Sequence, residues 1–249
     1  MHHFSSNGID IAYLDIGAGD PVLLIHGLAS SSHINWVATG WTQALTDDGR
    51  RAVAMDVRGH GESAKLYEPA AYDLRLSAAD AANLITHLAL GRTDVIGYSM
   101  GVRVAAALVR DRPELVRSLV LGGMGDALIT GAPDRDAIAE AMEADNIHAA
   151  NPVGRGHRAF AERSGGDLKA LAACTRAPNA TVAPEALAAI AVPVLIAIGS
   201  KDEIARPLSA LTAIIPGVEV LDIVGRDHMT ASGDPQFKAG VLDFLKRRP

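Results

Sequence analysis

The apolar and polar positions of this chain switch repeatedly between a strand-like period of two and a helix-like period near four. Residues 9–16 alternate apolar and polar and run into Gly17-Ala18-Gly19-Asp20-Pro21, which predicts an opening strand and a turn. Val22-Leu23-Leu24-Ile25 is an unbroken apolar run, as expected of a strand covered on both faces of a parallel sheet. Residues 34–45, with Trp36 and Trp41, predict a helix, and residues 51–56 the next strand. Ser77-Ala78-Ala79-Asp80 ahead of an apolar stretch predicts a helix with Ser77 as N-cap and an acid three residues on. A strand over 93–96, a helix over 102–110 closed by Arg112-Pro113-Glu114, and a strand over 116–121 complete a β-α-β-α-β rhythm. Short connections in that rhythm imply an α/β class with a mostly parallel sheet and helices on both faces.

Between residues 123 and 190 the rhythm changes. Helical patterns over 133–145 and 167–173 alternate with glycine, proline and polar residues, and no strand pattern occurs. We expect an α/β core formed by residues 1–122 and 191–249, with 123–190 as a small helical insertion. Its position after a sheet strand suggests a cap over the C-terminal sheet edge; the alternative is a surface excursion without a functional part. The strand rhythm returns at 193–199 and 218–224, with helices over 207–215 and 235–248.

Composition narrows the partners. The net charge is −6 and the basic residues are dispersed, apart from Lys246-Arg247-Arg248, expected to complement a helix C-terminus. Neither nucleic acid nor a membrane is expected as a partner, and no apolar run reaches the eighteen or so residues of a membrane span. The first residues lack the basic and apolar regions of a secretion signal. Cys174 is the only cysteine, which excludes an intramolecular disulfide and suits a reducing, cytoplasmic setting; it reads as a small core residue rather than a nucleophile.

Chemistry enters at Gly97-Tyr98-Ser99-Met100-Gly101, where a β-branched run breaks and an alanine-rich helix begins. A serine at such a strand-turn-helix apex has a strained backbone, with its hydroxyl at the positive helix end, where first-turn N–H groups can meet an oxyanion. Past Ile25 lies His26-Gly27-Leu28, which makes the Leu28 N–H a candidate donor and His26 a structural, loop-ordering residue. The polar stretch from Val57 to Ser63 predicts a hydrogen-bonded turn, since its acids and histidine lack a metal-ligand spacing. Asp202 and His228 each follow a predicted strand. A serine needs a base to become nucleophilic, and an imidazole serves best when a carboxylate fixes its tautomer.

These pieces together resemble the α/β-hydrolase family: His26-Gly27, Asp56-x-Arg58-Gly59-His60-Gly61-x-Ser63, Gly97-Tyr98-Ser99-Met100-Gly101, Gly199-x-x-Asp202 and Gly225-x-x-His228. The resemblance spans nearly the whole chain and implies an eight-stranded, mostly parallel sheet. It also implies Ser99 as nucleophile, His228 as base, Asp202 as acid, and the N–H groups of Leu28 and Met100 as oxyanion donors, without metal or organic cofactor. Asp126 is a rival acid, because some members take it from the end of the sixth strand. Asp227 reads as a loop residue. The substrate class implied is a small carboxylic ester or related acyl compound. A carbon–carbon bond hydrolase, a lactonase or a non-catalytic small-ligand binder remain as alternatives. Dehalogenases and epoxide hydrolases of the family carry an aspartate where Ser99 stands. Its carbon–carbon hydrolases typically carry asparagine and tryptophan where this chain has Tyr98 and Met229. The few aromatics of the insertion, Phe160 chief among them, do not define a pocket shape.

Overall fold

The computed structural model describes residues 1–178 and 180–248. Its strands are β1 (His2–Ser6), β2 (Ile9–Ile16), β3 (Asp20–Ile25), β4 (Arg50–Met55), β5 (Thr93–Tyr98), β6 (Val116–Gly122), β7 (Val194–Gly199) and β8 (Glu219–Ile223). They form one eight-stranded sheet in the order β1-β2-β4-β3-β5-β6-β7-β8. β2 pairs antiparallel with β1 and β4, and every pairing from β4 to β8 is parallel. Residues 22–25 of β3 and all of β5 and β7 are buried, in keeping with the continuous apolar runs of β3 and β7.

The helices are α1 (Trp41–Asp47), α2 (Leu74–His87), α3 (Met100–Asp111), α4 (Ala127–Thr130), α5 (Arg135–Glu143), α6 (Pro152–Arg163), α7 (Leu168–Thr175), α8 (Pro184–Ala188), α9 (Ser209–Ile214), α10 (His228–Ala231) and α11 (Pro235–Arg247). α2 and α3 cover one face of the sheet with a large aliphatic core; α1 and α11 cover the other around Trp36, Trp41, Phe237 and Phe244. Between β6 and β7 the described residues hold helices α4 to α8 and no strand. There Ile138, Met142, Ala161, Leu171 and Phe160 pack against Leu28 and Ala29, on the loop that follows β3.

Four local expectations need correction. The helix expected over 34–45 is two pieces, a single π-helical turn at His33–Val37 and then α1, because Gly40 between them adopts φ 77°. α2 starts at Leu74, capped by Asp73, whose side chain accepts from the Arg75 N–H. Ser77 therefore lies inside the helix, and Asp80 is a buried ion-pair partner: it binds Arg58 Nε at 2.7 Å and accepts from Ser6 Oγ at 2.6 Å. Lys246, Arg247 and Arg248 bind carboxylates rather than helix carbonyls. Lys246 meets Asp48, Arg247 meets Glu219, and Arg248 meets the fully buried Asp94 at the start of β5. The strand β1 was absent from the pattern, since of its two buried residues, Phe4 and Ser6, only Phe4 is apolar. Among the described residues no helix is long and apolar enough to cross a membrane.

Candidate active site

The end of β5 sets the geometry. Ser99 has φ 52° and ψ −118°, a strained conformation for a residue with a Cβ. The flanking glycines are required by space: a Cβ on Gly97 would lie 2.6 Å from the Gly101 carbonyl oxygen, and one on Gly101 would lie 2.1 Å from that of Ile25. The turn is thus pressed against β3 and α3 at once, and Ser99 N–H donates to the Gly122 carbonyl at 2.8 Å.

Three side chains from three loops converge there. His228 Nε2 lies 3.0 Å from Ser99 Oγ, and His228 Nδ1 lies 2.9 Å from Asp202 Oδ2. Asp202 is fully buried, and its other oxygen accepts from the Ala205 N–H at 2.9 Å. A carboxylate bound in this way accepts the Nδ1 proton and leaves the Nε2 lone pair facing the serine hydroxyl. Asp126 is engaged elsewhere. Its carboxylate accepts from the N–H groups of Ala210 and Leu211 at 3.0 to 3.1 Å, which caps the start of α9. Asp227 is likewise a cap: it accepts from the Thr230 N–H at 2.8 Å at the start of α10, a more definite role than that of a loop residue.

The loop after β3 forms the other wall. A Cβ on Gly27 would sit 3.2 Å from Ser99 Cβ, so this backbone runs directly past the serine. Gly27 N–H is already used, donating to Asn35 Oδ1 at 3.2 Å. Leu28 and Met100 N–H groups find no acceptor among the described residues. His26 orders the loop from beneath: its Nδ1 lies 2.8 Å from the Gly27 carbonyl, and its Nε2 accepts from the Val57 N–H at 3.0 Å. The polar turn after β4 is the hydrogen-bonded structure expected, with Asp56 accepting from the Ser32 and Glu62 N–H groups at 2.6 and 2.8 Å. Asn35 and Tyr98 are contributors that the residue pattern did not single out. Asn35 sits in a segment that reads as plain helix, and Tyr98 carries no signal except its place beside the serine.

Beside Met100, the half-buried Cys174 has its Sγ 3.9 Å from Met100 Sδ, and desolvation pushes its thiol up to about 12, which disfavours the thiolate. Among the described residues no group of three histidine, cysteine, aspartate or glutamate side chains could hold a metal ion.

His26 and His60, with ring centroids 5.1 Å apart, are both buried. Burial lowers the His26 pKa, and desolvation together with the adjacent His26 pushes His60 down to about 3. Both are neutral in the fold, and in the unfolded chain each takes a proton near pH 6.5. Protons therefore favour the unfolded state below that pH, and stability falls as the solution is acidified toward pH 3. For His60 the expected loss is about 1.4 kcal/mol per pH unit in that window, and His26 adds to it in the same direction below pH 6.5, read from urea unfolding at a series of pH values. Replacing His60 by Asn should make that slope shallower; an unchanged slope would contradict the account.

The fold and this site define an α/β hydrolase. The family model for the α/β hydrolase fold matches residues 20–145, and the chain belongs to that family of enzymes. Among individual relatives, it is 28% identical, over an alignment 283 positions long, to the non-heme chloroperoxidase CPO-A1 of Kitasatospora aureofaciens, covering 97% of this chain and 98% of that protein. It is 32% identical over 155 residues to a soluble epoxide hydrolase of a Corynebacterium species, a match covering 61% of this chain and 51% of that one. Among solved structures, a hydrolase from Pseudomonas aeruginosa PA01 superposes with a TM-score of 0.80 at 26% identity, covering 98% of this chain and 97% of that one.

Proposed function

We propose that this protein is a serine hydrolase that cleaves a small carboxylic ester or related acyl compound through an acyl-enzyme on Ser99. The observation that carries the reading is the unbroken chain from Asp202 through His228 to Ser99, at 2.9 and 3.0 Å. In this reading Ser99 Oγ attacks the acyl carbon while its proton passes to His228 Nε2, and Asp202 stabilises the resulting imidazolium. The tetrahedral oxyanion is met by the N–H groups of Leu28 and Met100, each worth orders of magnitude in rate when aimed at the developing charge. Collapse expels the alcohol, which leaves with the proton from Nε2. A water then gives a proton to Nε2, attacks the ester carbonyl and releases the acid, restoring Ser99. No step requires a metal or an organic cofactor.

The insertion over 123–190 serves in this reading as a cap that lines the acyl or alcohol pocket, since its apolar helices pack on Leu28 and Ala29 beside the serine. A reducing, cytoplasmic setting suits its single cysteine. Ser99 supports acyl transfer over epoxide opening, because a serine ether left by ring opening has no carbonyl for water to attack, whereas an acyl ester has one.

The test is a panel of chromogenic esters graded in acyl length, followed by acid quench and intact mass during turnover. Hydrolysis of the short-chain members with a transient mass gain equal to the acyl group is expected. No turnover anywhere in the panel would favour a non-catalytic small-ligand binder.

A further inference from the structure

The segment that bears His228 is held from the core by Tyr98. Tyr98, the residue before the serine, is buried at 4% exposure, and its phenol donates to the backbone carbonyl of His228 at 2.5 Å. Its ring lies 5.6 Å from the His228 imidazole and 6.1 Å from the Phe237 ring, which in turn stands edge-on to Trp41 at 4.8 Å. Trp41 Nε1 donates to the Ser232 carbonyl at 2.7 Å, so two aromatic donors from the core pin both ends of the short α10 turn. The slot for Tyr98 is built for it: a Cβ on Gly122 or Gly123 would come within 2.9 or 2.8 Å of the tyrosine ring. On the outer side the turn has no such support, for Met229 is 56% exposed.

We infer that Tyr98 is a positioning residue, whose hydroxyl holds His228 in register with Ser99. One strand end then sets both partners of the proton transfer: Ser99 through the backbone, and His228 through the neighbouring side chain. Burial raises the phenol pKa, so the group stays protonated and can donate. The inference rests on the serine-hydrolase reading above.

Tyr98→Phe keeps the ring and deletes only the donor. It should lower kcat about tenfold, the scale of one lost positioning hydrogen bond, and leave KM within about twofold. Labelling of Ser99 by a fluorophosphonate should slow by the same factor, because that reaction also needs the base in place. Phe237→Leu is the packing control: it should lower the melting temperature more than Tyr98→Phe does, yet keep kcat within about threefold well below that temperature. Parental labelling kinetics in Tyr98→Phe, or an equal kcat loss in Phe237→Leu, would overturn the assignment. If the parent protein itself is not labelled, the serine-nucleophile reading fails and this inference falls with it.

Discussion

Ser99→Ala should melt within a few degrees of the parent and turn over ester at least about a thousandfold more slowly. The change removes one oxygen whose hydrogen-bond partner is His228 Nε2 at 3.0 Å, in a residue only partly buried. Alanine carries the same Cβ as serine, so the strain at φ 52° is unchanged and little folding free energy is at stake. Chemistry loses much more, since no other hydroxyl stands within reach of the Nε2 lone pair among the described residues. His228→Ala should be comparably damaging, and the double mutant little worse than either single, because nucleophile and base act as one unit.

Asp202→Asn should cost about a thousandfold in kcat, whereas Asp126→Asn should cost less than about tenfold. The contrast follows from what each carboxylate holds. Asp202 accepts from the ring nitrogen of His228 that faces away from Ser99; an amide there can present its N–H, which turns the imidazole to the tautomer with its proton on Nε2 and removes the base. Asp126 accepts from the backbone at the start of α9, and an amide keeps one oxygen that can accept there, so Asn should change stability by less than about 1 kcal/mol and leave the imidazole untouched. Steady-state kinetics and melting curves on the two variants separate these outcomes. A severe kcat loss in Asp126→Asn with near-normal Asp202→Asn would move the acid to the end of β6.

Much of this was legible in the residues because the site uses local, strongly constrained backbone. Gly97 and Gly101 are needed where β5 turns beside β3, and such a need leaves a mark in sequence. The parallel core was legible for a related reason: strands covered on both faces are written as continuous apolar runs. What was not legible depends on partners far along the chain. Asp80 looks like a capping acid until Arg58 and Ser6 are placed against it, and Arg248 looks like a helix-end charge until Asp94 is placed beneath it. The buried strand and turn glycine before it favour Asp202 over Asp126, but what Asp126 does instead depends on a distant partner. Both follow sheet strands, and only the turn beyond β7 brings its carboxylate to His228, while the loop beyond β6 directs the other into α9. Gly40 shows the opposite failure: a local break, invisible to an apolar count because both flanking tryptophans are buried on one core.

The most direct measurement is fluorophosphonate labelling of the native protein, followed by intact mass and peptide mapping. The account predicts one adduct per chain, located on Ser99, absent from Ser99→Ala and strongly slowed in His228→Ala. A protein that stays unmodified, or an adduct on another residue that persists in Ser99→Ala, would contradict it.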